Sequence, residues 1–239
     1  MNYLCNLPVL TTEQMVEVDR LMIEEWHISL TQMMENAGRG LAEMTKRFLG
    51  GSVFNKHVVI LSGMGNNGGG GMVAARHLHN WGGQVALSIV GSIEQLKPIP
   101  AHQFEIVQKM GLEKPHPNLE TADVIIDAMI GYGLTGMPRP TVADWVVMAN
   151  ASQKTIIALD APTGLNATTG IPSAHCIKAA LTLTLALPKI GLIQPAAKPF
   201  VGELFLADIG VTPEVYASPT LGLQVQSPFT ADSIVKLAG

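Results

Sequence analysis

"HVVILSGMGNNGGGGMVAARHLH", residues 57–79, joins a short apolar run to a helix-like stretch through a turn made largely of glycine. The run HVVILS has no polar alternation, so it reads as a strand buried on both faces, as a parallel sheet requires. Gly71 to Trp81 then reads as a helix laid over that strand. Between them, Gly63, Gly65 and Gly68 satisfy the GxGxxG spacing, which lets a backbone close tightly and present N–H groups to an anion at a helix start. A dinucleotide fingerprint also asks for an acid at the end of the next strand, to hold a ribose. Here "QVALSIVGS", 84–92, ends in Gly91 and Ser92. No GK[ST] follows the turn, so it is not a P-loop either. A tight turn alone accounts for some of these glycines. A run of glycines from 68 to 71 exceeds that need, and each would cost a helix about 1 kcal/mol. The expected object is a polar cradle of backbone N–H groups and the Asn66 and Asn67 amides, without a cation of its own.

Working outward, the same alternation repeats. "DVIIDAMI" (123–130), "TIIALD" (155–160), "ALTLTLALP" (180–188) and "GELFLADI" (202–209) read as strands, with helical stretches near 104–110 and 142–150. Thr11 with Gln14, and Ser29 with Gln32, form capping-box patterns that open two helices before the first strand. The second carries Met33, Ala37, Leu41, Met44 and Phe48 on one face and stops at Gly50-Gly51. Without repeats or a linker, the 239 residues read as one α/β domain with a mostly parallel sheet covered on both faces.

Composition narrows the function. Hydrophobic residues make up 47%, charged residues 14%, and the formal net charge is -4. That balance excludes a disordered chain and argues against a nucleic-acid binder. Cys5 and Cys176 form no CxxC pair, so no zinc site or disulfide framework is expected, and a reducing compartment fits. "MNYLCNLPVL" is too short for a secretory signal and lacks a basic start. "AALTLTLALPKIGLI" (179–193) is interrupted by Pro188 and Lys189 before it could span a bilayer. A soluble cytoplasmic protein with no membrane partner is the expectation.

Two further loops end strands on the side of the glycine turn. Asp127 precedes the glycine-rich segment 131–136, and Asp160 precedes "APTG", 161–164. Either acid alone is an ordinary turn-former. Together with the glycine turn they converge where open α/β sheets hold ligands, outside the carboxyl ends of the strands. His77 and His79 are two apart on a helix, face different ways and make poor joint metal ligands. The sequence contains no HExxH or GxSxG, and its twelve methionines fit core filling.

With these residues in view, the chain resembles the NAD(P)H-hydrate epimerase family, the YjeF N-terminal domain. The matching segments are "LTTEQMVEVDR", "MMENAGRGLA", "GNNGGGGMVAARHL", "VIIDAMIGYGLTG", "LDAPTGLNATTG", "LPKIGL" and "VGELFLADIGV", in the family's order along nearly the whole chain. The resemblance implies a Rossmann-like three-layer α/β/α sandwich, often a homodimer, and a stand-alone module over 1–239 coupled functionally to a separate dehydratase. The implied reaction interconverts the R and S epimers of hydrated NADH and NADPH (NADHX and NADPHX). It implies substrate contacts from Asn66, Asn67, Gly68, Gly69 and Gly70, from Gly131, Tyr132, Gly133, Leu134, Thr135, Gly136 and Met137, and from Asp160. It also implies a potassium ion (K+) at Asn67, Asp127 and Thr163, whose oxygens suit a hard cation. Threonine at 163 keeps the hydroxyl of the family's usual serine.

One position departs. The family reads GNNGGDG, and Gly70 stands here in place of the aspartate. Asp160 is the candidate catalytic group, a carboxyl able to donate and then remove a proton as the hydroxyl of the hydrate leaves and returns; its alternative role is to cap the APTG turn. A binding module or scaffold that keeps the pocket without turnover is the competing expectation, and Gly70 is the residue that favours it. An NAD-dependent dehydrogenase is disfavoured by the missing ribose acid. Lys189 is left between two roles, a phosphate ligand or a solvated turn residue.

Overall fold

A computed structural model describes residues 7–237; Cys5 lies outside that range. Both capping boxes form. The Thr11 side chain accepts from the Gln14 amide at the start of α1 (Thr12–Arg20), and Ser29 accepts from Gln32 at the start of α2 (Leu30–Phe48). In each case the glutamine side chain returns the bond to the cap residue's own N–H, at 2.9 Å and 2.8 Å, so two orphan donors are satisfied reciprocally. Between the two helices, Leu21–Glu25 forms a π-helical turn. Past α2 the chain turns out through Gly50 and Gly51, both at positive φ (+85° and +93°).

The chain then alternates: β1 (His57–Ser62), α3 (Asn66–Asn80), β2 (Gln84–Ile89), α4 (Pro98–Lys109), β3 (Val124–Ala128), α5 (Pro140–Ala151), β4 (Ile156–Leu159) and β5 (Leu181–Leu185). Two short helices, α6 (Lys198–Val201) and α7 (Pro213–Tyr216), flank β6 (Glu203–Ala207), and β7 (Ile234–Lys236) closes the sheet. The seven strands lie in the order β2-β1-β3-β4-β5-β6-β7. All pairs are parallel except β6 with β7.

Burial on both sides explains the unbroken apolar runs. Along β1, Val58 and Ile60 enter the core shared with α2, α3 and α4, while Val59 and Leu61 enter the core shared with α5. A third cluster packs Met15 and Val18 of α1 against Ala161, Leu187, Leu192 and Val215. The fold is therefore the expected α/β architecture with a mostly parallel sheet. β7 was not foreseen, because three residues are too few to show a period.

The glycine run departs from expectation. Instead of a loop reaching Gly70, α3 begins at Asn66 and carries all four glycines in its first turns. Contact, not propensity, decides this. A Cβ on Gly68 would overlap the Gly63 carbonyl, one on Gly69 would sit 2.5 Å from Met34 Sδ, and one on Gly71 would sit 2.6 Å from Ala128 Cβ. The helix is pressed flat against α2 and the strand ends, an approach that only a residue without a side chain permits.

Candidate functional site

β1 has β2 on one side and β3 on the other, so consecutive connections leave it in opposite directions. That is the topological switch point at which open α/β sheets bind ligands. The loops after β1 and β3 touch there: Gly63 N donates to the Ala128 carbonyl at 3.1 Å, and a Cβ on Gly63 would overlap the Met129 carbonyl. Between these loops, the end of β4 and α1 opens a cavity of about 830 Å³, within the usual range for small-molecule sites.

Most of the expected binding residues line it. Asn66, Asn67 and Gly70 face it from the start of α3, and Gly131, Tyr132, Gly133, Leu134, Thr135 and Met137 face it from the loop after β3. Gly68 and Gly69 do not reach it; they serve the close packing of α3. Gly136 occupies a turn at φ +77° and is likewise absent from the lining. Gly70 sits in the wall, and the volume just beyond its Cα is filled by Leu159, whose Cδ2 would lie 2.8 Å from an added Cβ.

Asp160 is a buried acid in the lining of the cavity. It follows β4 directly, is 3% exposed and adopts a left-handed φ of +66°, a conformation Asp and Asn tolerate better than other side chains. One oxygen, Oδ2, accepts from the Tyr132 backbone N–H at 2.8 Å. The other, Oδ1, accepts from Lys189 Nζ at 2.5 Å. The role of Asp160 as merely a cap of its own turn therefore misses its partners, which come from the loop after β3 and the segment after β5.

Lys189 is corrected by the structure. It is no solvated turn residue: it is 0% exposed, and its ammonium also donates to the Leu185 carbonyl at 2.9 Å and toward Thr184 Oγ1 at 3.4 Å. Its neighbours are tied to the chain start, with Leu10 N donating to Pro188 O and Ile190 N to Leu10 O, each at 2.9 Å. The signal was present in the sequence, since a lone lysine inside an apolar run is buried only if a partner awaits it.

Asp127 and Thr163 lie together outside the lining, joined to it where the Ile130 N–H donates to Thr163 Oγ1 at 3.0 Å. Asp127 is 0% exposed. Its Oδ2 accepts from Thr163 N at 2.7 Å, and its Oδ1 accepts from Thr163 Oγ1 at 2.7 Å and Met129 N at 3.2 Å. Burial pushes its carboxyl up to about 6, against the lowering effect of those donors. Among the described residues, no lysine, arginine or histidine pairs with it. The Asn67 side chain lies against Gly131 on the cavity side, and its nitrogen is buried with nothing to donate to. No cluster of three His, Cys, Asp or Glu suited to a metal occurs among the described residues.

Fold and site together define an α/β protein with a small-molecule pocket at a sheet switch point, lined by Asp19 and Asp160 and by Lys97, Arg139 and Lys189. The family described as YjeF-related protein N-terminus matches residues 30–191, and the chain belongs to it. It is 39% identical over 231 residues to an NAD(P)H-hydrate epimerase of Dehalogenimonas lykanthroporepellens, covering 95% of this chain and 92% of that one. It is 35% identical to another of that name from Rhodopirellula baltica, covering 87% of each. A bifunctional NAD(P)H-hydrate repair enzyme Nnr of Moorella thermoacetica is 35% identical over 88% of this chain, which corresponds to 42% of the longer protein. The crystal structure of yeast ynu0 superposes with a TM-score of 0.80 at 24% identity, covering 97% of this chain and all of that one, and establishes the shared fold.

Proposed function

We propose that this chain is an epimerase of hydrated nicotinamide nucleotides, interconverting the R and S forms of NADHX and NADPHX. The observation that carries the proposal is the buried Asp160–Lys189 pair in the cavity lining, in a chain whose relatives over most of their length bear the epimerase name. The reacting carbon carries a hydroxyl beside the ring nitrogen. Inversion breaks that C–O bond with a proton delivered to the leaving oxygen, while the nitrogen lone pair closes an iminium. Water then adds to the opposite face and gives up a proton. Asp160 handles the proton on the oxygen facing it, Lys189 and the Tyr132 N–H hold its carboxylate in place, and Met129, Ile130 and Leu159 supply apolar wall. Incubating one purified epimer and following the other by chromatography tests this. Appearance of the second epimer no faster than in a protein-free control sinks the proposal.

Potassium belongs to the same proposal. Asp127, Thr163 and Asn67 fit a monovalent cation: a buried carboxylate without a cationic partner, a hydroxyl, and an amide whose nitrogen has no acceptor, so that its oxygen can face the ion instead. A bound cation supplies positive charge beneath the substrate loops. The stability consequence has a definite sign. Because burial raises Asp127 from 3.8 to about 6, its contribution favours the fold below about pH 4 and is lost as pH rises through 6. A cation relieves that loss. The melting temperature should therefore rise when potassium replaces tetramethylammonium at equal ionic strength, and by more at pH 7.5 than at pH 5. Equal melting temperatures in the two salts at both pH values would reject the site.

A homodimer, a cytoplasmic location and functional coupling to a dehydratase complete the proposal. The bifunctional name of the Moorella relative supports the coupling. Among the described residues no helix is long and apolar enough to cross a membrane.

A further inference from the structure

Inversion moves protons on both faces of one carbon, and Asp160 can serve only the face it meets. The cavity holds a second carboxyl. Asp19, in the last turn of α1, accepts a hydrogen bond from the Tyr132 hydroxyl at 2.6 Å, a short charge-assisted contact. Tyr132 is thus held at both ends, its backbone N–H on Asp160 at 2.8 Å and its hydroxyl on Asp19. Lys189 Nζ lies 5.6 Å from the centre of its ring. All four residues line the same cavity, Asp160 entering from the end of β4 and Asp19 from α1.

We propose that the Tyr132 hydroxyl is a second proton-handling group, relaying between Asp19 and the oxygen on the face of the reacting carbon turned away from Asp160. The inference rests on the epimerase proposal above. In one direction Asp160 takes a proton from the Lys189 ammonium and passes it to the departing hydroxyl, the C–O bond breaks and the ring nitrogen closes the iminium. Water then forms a new C–O bond on the opposite face, and the iminium electrons return to nitrogen. The proton released by that water passes to the Tyr132 oxygen as the phenolic proton moves to Asp19 Oδ2. One proton has moved from the Lys189–Asp160 pair to Asp19; the reverse reaction returns it, and exchange with solvent at the cavity mouth resets both ends. Burial and the Asp19 carboxylate hold the phenol well above its ordinary value, so it remains a donor between events. Burial also raises Asp19, which favours its taking a proton, against the lowering effects of the Tyr132 bond and Lys189. Tyr132 touches the reacting oxygen in this scheme; Asp19 acts through it and is a positioning residue.

The alternative is that the bond only ties α1 to the loop after β3, and oxygen exchange separates the two. Each epimer is incubated separately in ¹⁸O-water with the wild-type chain, Tyr132→Phe, Asp19→Asn and Asp160→Asn. Wild type incorporates one ¹⁸O per inversion. In Tyr132→Phe inversion should fall by about 10²-fold, while ¹⁸O exchange without inversion persists in one epimer only, the one whose hydroxyl faces Asp160. In Asp160→Asn, residual exchange should persist in the other epimer. Asp19→Asn still accepts the phenolic hydrogen bond but cannot take its proton, so it should follow Tyr132→Phe. Inversion unchanged in Asp19→Asn, or exchange and inversion falling together for both epimers in Tyr132→Phe, overturns the relay. If the wild-type chain inverts neither epimer, the epimerase proposal itself has failed, and the relay falls with it.

Discussion

Replacing Asp160 with asparagine should lower epimerisation by about 10²- to 10⁴-fold, the range a positioned acid–base group contributes, while nucleotide binding persists. Asparagine is the informative choice. Residue 160 sits at φ +66°, which alanine resists and asparagine accepts, so the backbone of the β4 end is kept. The amide oxygen can still accept from the Tyr132 N–H, and Lys189 retains the Leu185 carbonyl at 2.9 Å. What is lost is the exchangeable proton. Retention of more than about a tenth of wild-type turnover, set against the ≥10²-fold loss expected of a catalytic acid–base group, removes Asp160 from that role.

Lys189→Met should give the largest loss of stability. It leaves the Asp160 carboxylate, 3% exposed, without its cation. Removing one partner of a buried pair typically costs about 3–5 kcal/mol, and for a chain of this length that lowers the melting temperature by on the order of 10 °C. The double variant Asp160→Asn/Lys189→Met removes both charges and should be more stable than Lys189→Met alone, a non-additivity that contact demands. Strict additivity of the two losses would mean that the ion pair contributes nothing to the fold.

These two residues also show what the sequence could and could not reveal. β1, β3 and β4 were legible because burial on both faces leaves unbroken apolar runs, and α1 and α2 because their capping boxes are local. The start of α3 was not legible. Its glycines oppose helix formation by propensity, and the contacts with Met34, Gly63 and Ala128 that require them come from elsewhere in the chain. Asp127 and Asp160 stood out as acids at strand ends. Lys189 was visible but ambiguous, since its partner lies 29 positions earlier. Asp19 carried no local signal at all: its partner Tyr132 is 113 positions away.

Gly70 bears on whether the chain turns its substrate over. The family resemblance implies an aspartate there, yet in this chain Leu159 fills the adjoining volume, and an added Cβ would meet its Cδ2 at 2.8 Å. The wall is closed by packing there, and Asp160 faces the cavity without a neighbouring carboxyl at position 70. The decisive measurement is clearance of R-NADHX from a mixture of epimers by an excess of S-specific dehydratase in potassium buffer. Parallel reactions contain this chain, its Gly70→Asp variant, or no epimerase. The expected result is clearance well above the spontaneous rate with the unmodified chain, and no gain from Gly70→Asp. A rate equal to the blank, restored by Gly70→Asp, would contradict it and leave a pocket that binds the nucleotide without turning it over.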